Sequence, residues 1–456
     1  MTAPFLPRLR HHFTDLLRLA WPVMLSRAGI LIMAFCDIAM LGRYGGGEVG
    51  VSNLGLSIFV PALVVTIGLT SGMVPVISQA FGAGHWEECG RAWRRAMVWG
   101  AVLSLFGIWL TWQGGDILLW LGAQGMGPTV DLAQRGGAVA QALAPGLLAQ
   151  VLFAVCAFYL ESTRRPRFAM LAMLVANLLN LALNWVFIFG HLGVPEMGAV
   201  GAAIASTLAR FAALGLMLWY IFSQAEPRAA GVTGPWETFW GPGGWRAGWP
   251  MRKLGFSAGV SNGFETVGFA SMSLFAGRLG SEALDAYSIS HNMVSTLFMV
   301  GLGLAIATGV RVGIELGKGR PEEASFAGWT GLLAALVIMG GLGLAVCLLR
   351  DQVAWIYTDD PVIQARVAGI FLISAFVFLP DTAQIVMGQA VRALGDAWVP
   401  ILCYGIAFTV LMIPMGWVMV EDFGWDERGL VISIITACLL ATVTLAWRFH
   451  HLTIRG

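Results

Sequence analysis

The chain has 456 residues, 27 of them basic and 26 acidic, so only 12% carry a charge and the net charge is +1. Soluble domains run near about 25% charged, and with 57% hydrophobic residues and a mean hydropathy of +0.76 the composition excludes a soluble enzyme and large extramembrane domains. The charge balance gives no reason to expect nucleic acid as a partner, and six cysteines without a CxxC pairing, mostly inside apolar runs, point to core packing rather than to disulfides or metal.

A bilayer-spanning helix needs about 20 mostly apolar residues. Twelve apolar runs separated by charge or by Gly/Pro clusters lie near 16–41, 51–80, 93–113, 137–160, 168–190, 197–222, 254–277, 284–311, 325–348, 367–391, 397–419 and 428–449. Several are longer than the bilayer is thick, which implies tilt or protruding ends. The first run is too long for a signal peptide and lacks a small-x-small cleavage site. With the N-terminus inside, the cytoplasmic segments hold 19 Lys and Arg residues and the opposite side holds 6, the bias expected when both termini are cytoplasmic.

A Gly/Pro-rich interruption over 223–253 splits the spans into two sets of six. Gly42-Arg43 recurs as Gly277-Arg278, Gly68-Leu69 as Gly303-Leu304 and Gly82-x-Gly84 as Gly317-x-Gly319, always at an offset of 235. The expectation is an all-α integral membrane protein of twelve transmembrane helices in two six-helix bundles, residues 1–222 and 254–456, joined by a cytoplasmic linker over 223–253. Halves with six spans each keep one orientation, so a repeat places a pseudo-two-fold axis along the membrane normal.

Three acids fall well inside spans: Asp37 in the first, Glu265 in the seventh and Asp381, after Pro380, in the tenth. A carboxylate at that depth costs about 2.5–3.5 kcal/mol on insertion scales, so each needs a partner, water or a proton. A protonatable acid facing a wet cavity binds H⁺, Na⁺ or an organic cation, which is exchanger chemistry. Asn177, Asn180 and Asn184 fall along one helical stripe, as interhelical glue or as a polar wall beside an acid. Arg27 and Arg210 read as structural, because an arginine stem can lead its head toward an interface. His291 reads either as a group titrating near neutral pH or as a packing histidine.

In its order of motifs the chain resembles the MATE (multidrug and toxic compound extrusion) transporters. The resemblance runs from about Leu19 to Ala393 and is carried by Leu19-Ala20-Trp21-Pro22, Asp37-Ile38-Ala39-Met40-Leu41-Gly42, Ser78-Gln79-Ala80-Phe81-Gly82-Ala83-Gly84, Asn180-Leu181-Ala182-Leu183-Asn184-Trp185 and Gly388-Gln389-Ala390-Val391-Arg392-Ala393. It implies two bundles around a central cleft and export of cationic amphiphilic compounds against H⁺ or Na⁺, by a monomer without a cofactor in a bacterial inner membrane. It also implies that Asp37 is a coupling acid with Asn180 and Asn184 as cavity-lining neighbours, and that Pro22 is a hinge. By the same resemblance Glu265 and Asp381 match the C-terminal coupling acids, which favours the NorM-like branch and implies that they are the site for Na⁺ if that is the ion. Two departures favour H⁺. The family's frequent small-His-Gln stretch in span eight is Ala286-Tyr287-Ser288 here, and Val377 replaces a tyrosine one turn before Asp381, so oxygen donors for a bare Na⁺ are lost. A flippase for lipid-linked sugars would need a basic cleft, and deep spans offer only Arg27 and Arg210. A membrane lipid transferase would need clustered His, Asp or Cys, and HxxxH, DDxxD and CxxC do not occur.

Overall fold

The computed structural model describes residues 5–123, 128–225, 231–233, 243–357 and 360–455. The helices are α1 Phe5–Tyr44, α2 Glu48–Ser71, α3 Met73–Gly82, α4 Trp86–Trp112, α5 Gly114–Ala123, α6 Val130–Ser162, α7 Arg167–Phe189, α8 Gly198–Phe222 and α9 Trp249–Arg278. They continue with α10 Ser281–Gly317, α11 Pro321–Leu348, α12 Arg350–Tyr357, α13 Pro361–Ser374, α14 Phe378–Ala393, α15 Trp398–Tyr404, α16 Ile413–Glu421 and α17 Glu427–Arg455, and a π-helical segment, Gly405–Met412, joins α15 to α16.

All twelve expected apolar runs are helical. Among the described residues ten helices are long and apolar enough to cross a membrane, and the bent pair α13–α14 makes an eleventh. The remaining run is α9, 30 residues long, whose apolar content is diluted by Ser257, Ser261, Asn262 and Glu265. Span ten is interrupted: it breaks over 375–377 with a 45° bend. Pro380 lies in the first turn of α14, where its missing N–H costs little.

The repeat extends to element boundaries. α3 ends at Gly82 and α10 at Gly317, α4 starts at 86 and α11 at 321, and the short helices α5 and α12 follow α4 and α11. Gly84 and Gly319, matched in the sequence, take φ of +78° and +71°, the left-handed conformation that ends a helix and that glycine adopts without a Cβ penalty.

Compact packing divides the chain into residues 28–259 and residues 260–456 together with 1–27. The division runs through α1 and α9, so the first 27 residues go with the second half, whereas the sequence reading puts them in the bundle 1–222. The expected linker falls partly outside the described residues, at 226–230 and 234–242.

In the first unit α6 is the hub, touching α2, α4, α5 and α8. Its small residues permit this: a Cβ on Gly137 would stand 2.6 Å from the Gly115 Cα of α5, and one on Gly136 2.8 Å from the Leu54 side chain of α2. Close approach through small residues is how helices associate in lipid, where no hydrophobic force drives them together. In the second unit α14 plays that part, packing on α10, α11 and α17.

Residues 1–27 are tied into their unit by a polar knot. Arg311 of α10 donates to the His12 carbonyl and, at 2.7 Å, to His12 Nδ1. A guanidinium only donates, so Nδ1 must accept and the ring is the neutral tautomer with its hydrogen on Nε2. That Nε2–H meets Glu323 Oε2 at 2.8 Å, and Arg8 lies 2.9 Å from the other Glu323 oxygen. His12→Ala is expected to lower stability by about 1–3 kcal/mol through orphaned buried groups. His12→Gln, whose amide offers Arg311 an acceptor and Glu323 a donor, should recover most of it in thermal unfolding of the detergent-solubilised protein.

Candidate functional site

Asp37 of α1 is half-buried and faces α7 and α8. Asn180 and Asn184 stand one turn apart on α7, so both reach the same carboxylate oxygen: their Nδ2 atoms donate to Asp37 Oδ1 at 3.1 and 2.6 Å. Ser206 of α8 donates to Oδ2 at 2.5 Å and accepts from Asn180 at 3.0 Å. Ser206 is reached because α8 packs along α7; the alanines around it, Ala202, Ala203, Ala205 and Ala209, are buried. Asn180, Asn184 and Ser206 are fully buried.

This geometry determines where a proton can go. Oδ1 faces the NH₂ ends of two amides, which only donate, so a proton there would oppose N–H. Oδ2 faces a hydroxyl, which turns from donor to acceptor by rotating its hydrogen. Oδ2 is therefore the oxygen that takes a proton with the surrounding frame intact. Asn184 Oδ1 is buried without a hydrogen-bond partner and leaves one unused oxygen near the carboxylate.

The asparagine stripe serves both expected purposes. Asn177 donates at 3.0 Å to the Gly29 carbonyl of α1 and at 2.8 Å to Met173 of its own helix, so it is glue, while Asn180 and Asn184 serve the acid. Arg210, one turn after Ser206, lies with its guanidinium 4.8 Å over Phe59, in space that Gly146 leaves open, and its charge acts on Asp37. Pro22 lies within continuous α1.

The structure also brings Glu265 and Asp381 together. Gln384 of α14 uses the two hydrogens of Nε2 to donate to Glu265 Oε1 and to Asp381 Oδ1, each at 3.2 Å. The Cys438 thiol of α17 approaches the same Asp381 oxygen at 3.8 Å, and Thr442 of α17 donates to the Pro380 carbonyl at 2.9 Å. Asp381 lies in the first turn of α14, where the helix dipole favours a negative charge. Asp381 is 3% exposed and Gln384 is 0% exposed, whereas Glu265 is half-buried, so the pair has one enclosed acid and one that is partly accessible. Among the described residues no group of three or more His, Cys, Asp or Glu is placed to hold a metal ion.

Near the pair the backbone departs from α geometry. The π segment presents Gly405 to the Phe264 ring and Phe408 to Gly268, where an added Cβ would find neighbours at 3.2 Å. Short π segments inside helices recur at functional positions.

Sequence reasoning missed Ser206, Gln384 and Cys438. Gln384 had a signal, since it stands three residues after Asp381 on the same helical face. Ser206 had none, because a lone serine in an alanine-rich span reads as packing.

The MatE family model matches residues 22–186 and 258–418, well over half of the chain. The chain belongs to the MatE family. The resemblance seen in the motifs is thereby confirmed, and this MatE protein is a multi-pass membrane transporter, not an enzyme. Curated relatives include the probable multidrug resistance protein NorM of Caulobacter vibrioides, 34% identical over 442 residues, 96% of this chain and 91% of that one. The multidrug resistance protein PmpM of Pseudomonas aeruginosa is 29% identical over 464 residues, 98% and 94% of the two chains. Among solved structures, a MOP superfamily transporter from Pyrococcus furiosus superposes with a TM-score of 0.85 at 19% identity, covering 99% of this chain and 98% of that one. The twelve-helix, two-bundle MatE fold follows.

Proposed function

We propose that this MatE protein exports cationic amphiphilic compounds across a bacterial inner membrane, with both termini cytoplasmic, in exchange for H⁺. The observation that carries the reading is the environment of Asp37: a half-buried carboxylate in an apolar helix, held by three neutral donors, with one oxygen placed to accept a proton without disturbing the other. In such a site proton and organic cation compete for one charge, and competition supplies the differential affinity that exchange needs. The names of the relatives, multidrug resistance proteins from two bacteria, agree with it.

In this reading the ionised Asp37 holds the drug on the cytoplasmic side. After reorientation a proton on Oδ2 cancels the charge and the drug leaves. The Glu265/Asp381 recess handles protons, with Asp381 enclosed beside the buried Gln384. The replacement of the family's span-eight small-His-Gln stretch by Ala286-Tyr287-Ser288 and of a tyrosine by Val377 supports H⁺ as the coupling ion.

The test is ethidium efflux from cells expressing the chain. A protonophore is expected to abolish efflux, and replacing Na⁺ by choline to leave it unchanged. Efflux that persists with the protonophore and follows a Na⁺ gradient would transfer the coupling to Na⁺. Absence of efflux under every gradient would remove the exporter reading.

A further inference from the structure

Inside the unit that holds Glu265 and Asp381, a small cavity is lined by Phe269, Tyr287, Ser290, His291, Ser374 and Val377, with room for about one water. Two of these residues stand one helical turn from the acids. Phe269 follows Glu265 by four residues on α9, about 6 Å along the axis. Val377 precedes Asp381, whose N–H donates to the Val377 carbonyl at 3.0 Å. α9 is an odd span and α13–α14 an even one, so a step forward along α9 and a step backward along α14 lead the same way, toward the outside in the proposed orientation. His291 lies ten residues into α10, about 15 Å from its outer end, and Glu265 lies thirteen residues before the end of α9, about 20 Å in. The cavity, whose mainly apolar lining holds Ser290, His291 and Ser374, thus lies about one helical turn outward from the acid pair.

The imidazole is held without being locked. Its ring lies 5.3 Å from the Phe269 ring and stacks on Tyr287 at 6.0 Å, and Nε2 has the Ser295 hydroxyl at 3.5 Å. Across the cavity the Ser290 and Ser374 hydroxyls share a hydrogen bond of 2.7 Å at the break of span ten. No lining side chain carries a formal charge. Tyr287 on its own helix is the titratable group beside His291, α17 turns Val431 and Ile434 to the cavity, and Glu265 and Asp381 stand one turn beyond Phe269 and Val377 along their own helices. Histidine is the side chain that gains and loses a proton near neutral pH with the least perturbation, and here it stands on the outer approach to two carboxylates.

We infer that His291 is a proton relay between the outer side and the Glu265/Asp381 pair, an inference that rests on the proton-coupled reading above. Hydronium on the outer side gives a proton to the imidazole, forming N–H and leaving water. That N–H then breaks as an O–H bond forms on one of the two carboxylates, and the imidazole returns neutral for the next cycle.

The experiment uses purified protein in proteoliposomes, with ethidium movement and proton flux followed together under an imposed pH gradient, and drug-for-drug exchange followed without one. His291→Ala is expected to slow proton-driven exchange by about tenfold or more, in line with the usual contribution of a positioned acid–base group. Drug-for-drug exchange should stay near the wild-type rate, and external imidazole should restore part of the proton flux. His291→Gln, which fills the space, should show the same split without rescue, and carries the test if the alanine variant does not fold. Proton-driven exchange at the wild-type rate in either variant overturns the relay, as does equal loss of both kinds of exchange with no imidazole rescue. If wild-type exchange itself follows Na⁺ with no proton flux, the coupling reading falls and the relay with it, a result visible before any variant is made.

Discussion

Asp37→Asn is expected to leave the protein folded and to abolish most of its transport. Asparagine reproduces the hydrogen-bond frame. Its Oδ1 can accept from Asn180 and Asn184 as the Asp37 oxygen does, and its amide can donate to Ser206, whose hydroxyl already accepts from Asn180. The apparent Tm should therefore stay close to wild type. What disappears is the charge. A carboxylate about 4 Å from a cation is worth about 4 kcal/mol at the effective dielectric of a partly buried pair. Because water reaches a half-buried site and weakens that figure, a loss in efflux of about tenfold or more is the conservative expectation, each tenfold being about 1.4 kcal/mol. Asp37→Ala should lose transport to the same degree and stability as well, since Asn184 and Ser206 lose their acceptor and interhelical polar bonds are worth about 0.6–1.7 kcal/mol each in lipid. The contrast between the two variants, in efflux of a fluorescent cation and in thermal unfolding, separates a charge that works from a residue that merely packs. Wild-type efflux by Asp37→Asn would remove Asp37 from the mechanism.

Much of this was legible in the sequence, for physical reasons that also explain what was not. Lipid makes apolar length and arginine placement informative, so twelve spans could be marked from composition. The same penalty makes Asp37, Glu265 and Asp381 conspicuous, since each charge must be offset by something the structure supplies. The stripe of Asn177, Asn180 and Asn184 was visible as a stripe, yet which member faces the acid depends on a few tens of degrees of helix rotation, which periodicity leaves open. The break at 375–377 carries no glycine or proline, and Pro380 seats comfortably at the start of α14, so the bend just before it has no local signal. The grouping of residues 1–27 with the second half depends on pairings such as Arg311 with His12, 299 positions apart, and local pattern does not report such pairings.

Glu265→Gln and Asp381→Asn are each expected to reduce proton-driven exchange by about tenfold or more, and the double variant to be no worse than the more damaged single. The reason is the shared amide. Gln384 gives one hydrogen to each acid, so the two carboxylates are fixed on either side of a single group, and a proton placed on one changes the field at the other. Groups that interact this closely titrate as a pair and act as a unit, and removing either member removes the function of both. A double-mutant cycle on the exchange rate should then give an interaction energy of about 0.5–3 kcal/mol, whereas two independent acids would show losses that multiply. With proton handling assigned to this recess and drug binding to Asp37, drug-for-drug exchange, which moves no net proton, should survive in these variants and fail in Asp37→Asn. If drug exchange instead fails alike in all three, the acids do not divide proton handling from drug binding, and the recess at Gln384 must open to something larger than a proton during the cycle.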